Sequence, residues 1–218
     1  MIAIPERGIY LASRSPRRRE LLSQIGVRYH LLLFRERPRG NAAEHLEVDE
    51  APLAGETAAA YVERMARAKA DAGWRRMLHR RRRQVPLQHA APVLAADTTV
   101  ALKDQILGKP RDRAEAAEML AALSGQRHEV LTAVALKHYD ELEFALSTSE
   151  VELKKLSMEE IALYAASGEG DDKAGAYAIQ GRAGRFVVEL RGSYSGVMGL
   201  PLYETSQLLE KLRGRSPH

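Results

Sequence analysis

Apolar and polar positions along this chain follow two periods, and each change of period marks an element. Ile9, Tyr10, Leu11 and Ala12 form a short apolar run that predicts a buried strand. The run breaks at Ser13-Arg14-Ser15-Pro16-Arg17-Arg18-Arg19. Leu21, Leu22 and Ile25 then form a helical stripe that Gly26 ends. Ser15 suits the N-cap, and Pro16 suits the first helical position, where a missing N–H costs nothing. Residues 35–56 are polar, rich in Pro, Gly, Glu and Asp, and read as a loop. A helix follows from about Thr57, with Val62, Met65, Ala66 and Lys69 on one face.

Pro92 to Lys103 predicts a buried strand interrupted at Asp97-Thr98-Thr99. Residues 112–124 predict an amphipathic helix, with Ala116, Met119, Leu120 and Leu123 inward and Gly125 as the stop. Glu129–Leu136 and Leu142–Leu153 alternate like paired strands. Ser157 and Glu160 form a capping box at the start of another helix, which Gly168 ends. After the glycine-containing stretch DDKAGAYAIQG, Phe186–Leu190 predicts a last strand and Leu200–Leu212 a last helix. Hairpin-like and crossover links both occur, so the fold class is α/β with a mixed sheet.

Composition narrows the class. The 218 residues are read as a single domain, 1–218, with a basic connection at 75–91 and a flexible tail at 213–218. Hydrophobic residues make up 45% and charged residues 28%, as in water-soluble globular proteins. There is no cysteine, which excludes disulfides and cysteine-held zinc and suits a cytoplasmic location. The first residues, MIAIPERGIY, hold no long apolar stretch, so no secretory signal is expected. No apolar run is long enough to span a bilayer, so no membrane partner is expected.

Charge points to an anionic ligand. The net charge is +4, with a pI near 9.4. Much of the excess lies in WRRMLHRRRRQ, Trp74 to Gln84. No aromatic residues interleave these arginines to stack bases, so the run reads as a solvated helix end or loop rather than a nucleic-acid patch.

Three places carry candidate chemistry. Free N–H groups and the positive dipole end at the start of the first helix, joined by Arg17 and Arg18, make a candidate phosphate site. A solvated basic turn is the alternative. Asp97 follows Val93-Leu94-Ala95-Ala96, and a carboxylate in such surroundings needs a partner, a metal or a task. It reads as a general base or Mg²⁺ ligand, or as an acceptor for a neighbouring turn. Lys109 sits between Gly108 and Pro110, which either aim its amine or merely expose it in a turn. Lys69 either snorkels to water or points into a cleft. The chain has no G-x-x-x-x-G-K-[ST] loop, no G-x-G-x-x-G between strand and helix, no H-E-x-x-H and no G-x-S-x-G.

Six stretches, in order, carry a resemblance: LASRSPRRRELL, ETAAAYVERMARAKA, VLAADTTVALKDQILGKPRD, AEMLAALSGQRHEVLTAVAL, SGEGDDKAGAYAIQG and GSYSGVMGLPL. Together, from residue 11 to 202, the chain resembles the Maf family of nucleoside triphosphate pyrophosphatases. The resemblance implies a Maf/Ham1 (ITPase-like) α/β fold, with a long mixed sheet and flanking helices in two lobes around a cleft. It implies Mg²⁺- or Mn²⁺-dependent hydrolysis of a nucleoside triphosphate to the monophosphate and pyrophosphate. KAGAYAIQG followed by GSYSGVMGLPL is similar to the dTTP/UTP branch, with modified pyrimidine nucleotides as further substrates. A pyrophosphatase for 7-methyl-GTP or altered purine nucleotides is the alternative within the family. A basic nucleic-acid-binding regulator linked to septum formation is the alternative outside enzymes. A homodimer is compatible with this reading.

The resemblance also implies roles. Asp97 is similar to the proton acceptor. Arg17, Thr98 and Gln180 match positions of substrate choice. Ser13, Arg18, Lys69 and Lys109 match polar pocket positions, and Glu50 joins Asp97 as a metal ligand. Arg17, Arg18 and Arg19 are about 100° apart around a helix, so only some of them can face one ligand. Arg17 and Arg18 are assigned inward and Arg19 to solvent. Three departures from the family pattern stand out: Arg14, where a small residue is usual, Gly170-Asp171, where a proline-containing pair is usual, and the arginine run at 80–83 in a variable connection. The arginine run is given no catalytic role. Replacing Arg80 to Arg83 with serine is expected to leave nucleotide hydrolysis within about twofold, since surface changes are mild. A collapse of turnover in a steady-state assay would show that this segment covers the cleft.

Overall fold

The computed structural model describes residues 8–32, 48–81 and 91–215. In chain order the elements are β1 (Ile9–Leu11), α1 (Pro16–Gln24), β2 (Tyr29–Leu31), α2 (Ala58–Arg81), β3 (Val93–Leu102), β4 (Gln105–Leu107) and α3 (Arg113–Leu123). Then come β5 (Arg127–His138), β6 (Glu141–Leu153), α4 (Met158–Ala166), β7 (Val187–Arg191), α5 (Tyr194–Val197) and α6 (Leu202–Arg215). Two short 3₁₀ turns, Ala174–Ala176 and Arg182–Phe186, lie between α4 and β7.

Among the described residues seven strands form one sheet in the order β2-β1-β3-β5-β6-β7, with β4 also on β3. β1 pairs in parallel with β2 and β3, and the other pairings are antiparallel. This is the mixed sheet that the interleaved periods predict. β5 covers one whole edge of β3, from Val93 to Ala101. The other edge is shared: β1 meets β3 at Val93 and Leu94, and β4 meets it from Val100 onward. Between these contacts, residues 95–99 of β3 have no strand beside them on that edge among the described residues. The gap holds Asp97 and Thr98.

Alternation along β3 assigns its two faces. Val93, Ala95 and Ala101 pack with Val62, Ala66, Ala70, Trp74 and Met77 of α2. Leu94 and Ala96 pack on the other face with Leu21 and Leu22 of α1 and Leu208 and Leu209 of α6. A third cluster joins Val100, Val130 and Val151 to Leu120, Leu123, Ile161, Tyr164 and Phe186 around α3 and α4. α2 sits close to the sheet because Gly73 has no side chain. A Cβ there would lie 2.8 Å from a Val93 methyl and 2.9 Å from the Ala12 Cβ. Lys69, one turn earlier, is thereby carried toward β3. α1 is fastened by buried Leu21 and Leu22, worth roughly 3–6 kcal/mol together. Its first turn is therefore not needed to hold it in place.

Several expectations need correction. β3 is not interrupted at Asp97-Thr98-Thr99, because those residues keep register with Ala133, Thr132 and Leu131 of β5. Residues 75–81 are not part of a connection. They continue α2, held by Trp74 and Met77, which are buried against the sheet. Residues 82–90, including Arg82 and Arg83, and residues 35–47 of the expected loop lie outside the described residues. Residues 213–215 of the expected tail belong to α6, and 216–218 lie outside the described residues. Phe186 ends a 3₁₀ turn rather than starting β7. The capping box at Ser157 and Glu160 is present as expected.

One buried histidine ties stability to pH. His128 Nε2 lies 2.8 Å from the Tyr177 hydroxyl, and burial pushes its pKa down to about 4. The unfolded chain takes up a proton near pH 6.5, while the folded chain does so only near pH 4. Stability is therefore complete above about pH 6.5 and is lost as pH falls toward 4, by about 3 kcal/mol. Glu50, Glu56, Glu160 and Asp172 are held below their ordinary values of 4.5 and 3.8, so their share of stability starts to be lost only near those values and goes mainly below them. Urea unfolding at pH 7 and pH 4.5 should show a drop of about 2–3 kcal/mol in the native protein. His128→Gln keeps a partner for Tyr177 and should show much less of the drop.

Candidate functional site

The chain leaves β1 through Ser13 and Ser15 and enters α1 at Pro16. Ser15 occupies the N-cap position, but its side chain makes no capping bond, and no acidic residue lies in the first turn. Its own N–H donates to Ser13 Oγ at 3.2 Å. The first-turn N–H groups thus remain for a ligand, at the positive end of the helix. Ser15, Pro16, Arg17 and Arg18 all line one cleft of about 580 Å³.

Arg18 is held from three sides. Nε donates to the Gly199 carbonyl at 2.7 Å, Nη1 to Ser13 Oγ at 3.4 Å and Nη2 to Thr98 Oγ1 at 3.2 Å. Thr98 Oγ1 lies 3.0 Å from Thr132 Oγ1, which lies 2.8 Å from the Gly196 carbonyl. A threonine hydroxyl has one proton, so the consistent direction is Arg18 to Thr98 to Thr132 to the Gly196 carbonyl. Burial lowers the Arg18 pKa against the pull of Asp97; Arg17 adds to the lowering and Glu50 opposes it. Arg17 also faces the cleft, 3.8 Å from Asp172. Arg19 lies on the side assigned to it, away from the cleft. It is half-buried outside the cleft lining, and its Nε is buried without a hydrogen-bond partner.

The opposite wall holds the carboxylates. Lys69 extends from the apolar face of α2, and its amine reaches Asp97 Oδ1 at 2.5 Å and Glu50 Oε1 at 2.7 Å. Of the two readings of Lys69, the cleft reading holds. Tyr61, one α2 position before buried Val62, donates from its hydroxyl to the Glu50 carbonyl at 3.0 Å and so pins that segment. Burial and the charges of Asp97 and Glu50 push the Tyr61 pKa up to about 12, so it stays a donor. Burial acts to raise the Glu50 carboxyl. The Lys69 ammonium outweighs it by charge and hydrogen bond, with help from Lys109 and Arg18, and holds Glu50 below the usual glutamate value.

The remaining wall comes from the segment after α4. Gly175 N–H donates to the Gly108 carbonyl at 3.1 Å, which fastens the Lys109 turn to this wall. Lys173 Nζ donates to Asp172 and to the Glu169 carbonyl, both at 2.5 Å. Gly170 is required by the chain path, since a Cβ there would lie 2.0 Å from the Ala176 carbonyl oxygen. Gln180 is exposed and lines the cleft beside Tyr177, Ile179 and Met198. Its side-chain amide has no hydrogen bond to another described residue.

Ser13, Arg17, Arg18, Glu50, Lys69, Asp97, Thr98, Lys109 and Gln180, far apart in sequence, therefore share one cleft. The sequence reading missed Tyr61, Thr132, Lys173 and the Gly199 carbonyl. Thr132 stands opposite Thr98 in the β3–β5 register, which the sequence does not print. Among the described residues no group of three or more His, Asp or Glu side chains is placed to hold a metal ion. Glu50 and Asp97, both on the Lys69 amine, are a two-carboxylate set. In Lys69→Met the Glu50 carboxyl should titrate at higher pH than in the native protein, read by carbon-13 NMR. An unmoved midpoint would mean that the 2.7 Å pairing is not kept in solution.

Residues 8–212 match the family described as Maf-like protein. A protein of Nitrosomonas europaea named dTTP/UTP pyrophosphatase is 54% identical over 203 residues, 93% of each chain. One of the same name from Aromatoleum aromaticum is 56% identical over 202 residues, 93% of this chain and 94% of its own. Another, from Dechloromonas aromatica, is 53% identical over 204 residues, 94% of this chain and 96% of its own. Among solved structures, the Staphylococcus aureus Ham1 protein aligns over 95% of this chain and 99% of its own, at 15% identity and a TM-score of 0.43. With the family pattern running from residue 8 to 212 and these near-full-length relatives above half identity, the chain belongs to the Maf-like protein family.

Proposed function

We propose that this protein hydrolyses dTTP and UTP to the nucleoside monophosphate and pyrophosphate. The observation that carries the reading is one cleft that sets the largely buried Asp97 among Arg17, Arg18, Lys69 and Lys109. A triphosphate supplies the negative charge that such a cleft lacks. The names of the relatives support the choice of base.

The first-turn N–H groups of α1, Ser13, Arg17 and Lys109 bind phosphate oxygens. A guanidinium has five donors, and three of Arg18's are spent within the protein, leaving two for the ligand. Because those three bonds already fix it, Arg18 needs no reorganisation as charge develops on the pyrophosphate leaving group. Asp97 accepts a proton from the water that attacks the α-phosphorus. The new bond is from that water oxygen to the α-phosphorus, and the bond broken joins the α-phosphorus to the bridging oxygen of the pyrophosphate. Lys69 balances the charge of Asp97 before that transfer.

Glu50 and Asp97 fit a divalent cation, Mg²⁺ or Mn²⁺, since a hard cation takes one or two carboxylates together with phosphate oxygens. Bound there, it would supply charge neutralisation for the triphosphate. Gln180 offers its amide N–H₂ to O4 and its carbonyl to N3–H of thymine or uracil, an edge that cytosine reverses. Thr98 contributes by holding Arg18. We assign the protein to the cytoplasm, which suits a chain without cysteine. No helix among the described residues is long and apolar enough to cross a membrane.

The test is kcat/KM for dTTP, UTP, CTP, GTP and 7-methyl-GTP, with Mg²⁺ and with Mn²⁺. dTTP and UTP should lead; a lead for CTP or 7-methyl-GTP overturns the base assignment. Gln180→Glu loses the amide donor and should erode the preference. Asp97→Asn should lower kcat by ~10²–10⁴-fold with the circular dichroism spectrum unchanged. Steeply salt-dependent DNA binding without pyrophosphate release would point to a regulator instead.

A further inference from the structure

Gln180 can discriminate bases only if its turn is held still. A side-chain amide meets the same base edge each time only where its Cα is held at one distance and angle from the base. The bonds that hold this turn come from outside the cleft. Ala178, two residues before Gln180, donates its N–H to the Tyr164 hydroxyl at 3.1 Å. Arg182, two residues after, donates its N–H to Glu169 Oε1 at 2.8 Å. The Tyr164 hydroxyl donates to that same Glu169 oxygen at 3.0 Å. Gly181 packs directly on this carboxylate, where a Cβ would lie 2.2 Å from Glu169 Oε1.

The two side chains are themselves fixed. Tyr164 is buried at the end of α4, with its ring edge-on to Phe186 at 5.6 Å. Burial drives its pKa upward, so it stays a protonated donor. Glu169 also accepts Lys173 Nζ on its backbone carbonyl, and Lys173 pairs with Asp172, which faces Arg17. Neither Tyr164 nor Glu169 lines the cleft.

We infer that Tyr164 and Glu169 are positioning residues that clamp both ends of the Gln180 turn and thereby set base discrimination. The inference rests on the reading that Gln180 meets the base. It assigns the two residues no contact with substrate. Their loss therefore acts on base choice and on KM rather than on the rate of the chemical step.

Tyr164→Phe removes the hydroxyl and keeps the ring. It should lower the dTTP-to-CTP ratio of kcat/KM by about three- to tenfold, the scale of one hydrogen bond, with kcat for dTTP within about twofold. Glu169→Ala should do the same. Glu169→Gln, which keeps an acceptor oxygen, should stay near the native ratio. In a Gln180→Ala background, Tyr164→Phe should leave the ratio unchanged, since the clamp acts through that side chain. Amide hydrogen exchange should quicken at Ala178 in Tyr164→Phe and at Arg182 in Glu169→Ala. An unchanged ratio in Tyr164→Phe overturns the inference, as does a ratio change that persists without Gln180. A uniform loss on every nucleotide, matched by a lower melting temperature, makes the residues merely structural and overturns it too. If the native enzyme prefers another base, the reading of the cleft fails. The ratio between its best and poorest nucleotides, with the exchange rates, then still judges the clamp.

Discussion

A carboxylate set into a buried central strand must be given a counter-charge, and the architecture around the cleft follows from how Asp97 receives one. Lys69 reaches it from α2, and the same amine takes up Glu50. Removing one partner of a buried ion pair costs about 3–5 kcal/mol, because the other is left charged and dry. Side-chain exposure of 18% for Lys69 and 12% for Asp97 places this pair near that regime. The position of α2 is therefore constrained. Gly73 allows the helix to sit against Val93 and Ala12, and Lys69 lies one turn away on the same face.

The gap on the free edge of β3 provides the room. β1 leaves after Leu94 and β4 arrives at Val100, so side chains from both faces of β3 reach one opening. Asp97, on the α2 face, meets Lys69. Thr98, on the other face, meets Arg18 and Thr132. A strand paired on both edges throughout would have kept these two residues on separate sides of a closed sheet. The cleft needs no distortion of β3, which stays in register with β5 from Val93 to Ala101.

Two hydrogen-bonded chains then tie distant loops to this opening. Arg18, Thr98 and Thr132 join the start of α1 to the carbonyls of Gly199 and Gly196 on either side of the α5 end. Tyr164 and Glu169 join α4 to the backbone on either side of Gln180. Each chain ends on backbone rather than on another side chain. Backbone geometry is thereby fixed where a ligand would be read, while Gln180 itself remains free to bind.

Local sequence determined the elements and the chemistry at their ends. The period change at Ser13–Pro16, the capping box at Ser157 and Glu160, and the alternation of β5 and β6 all follow from interactions within a few residues. The ordered motifs likewise pointed to Arg17, Arg18, Glu50, Lys69, Asp97 and Lys109, which line one cleft, but not to Asp172 or Lys173. Interactions over long separations were not legible. Polar Asp97-Thr98-Thr99 looks like a break, because the sequence does not show that Lys69, 28 positions away, pairs with Asp97. The arginine-rich end of α2 looks like a connection, because charge marks the surface but does not show that buried Trp74 and Met77 carry the helix onward. Tertiary structure alone decided which edge of β3 stands open, since pairing depends on where distant strands end rather than on the residues of β3 itself.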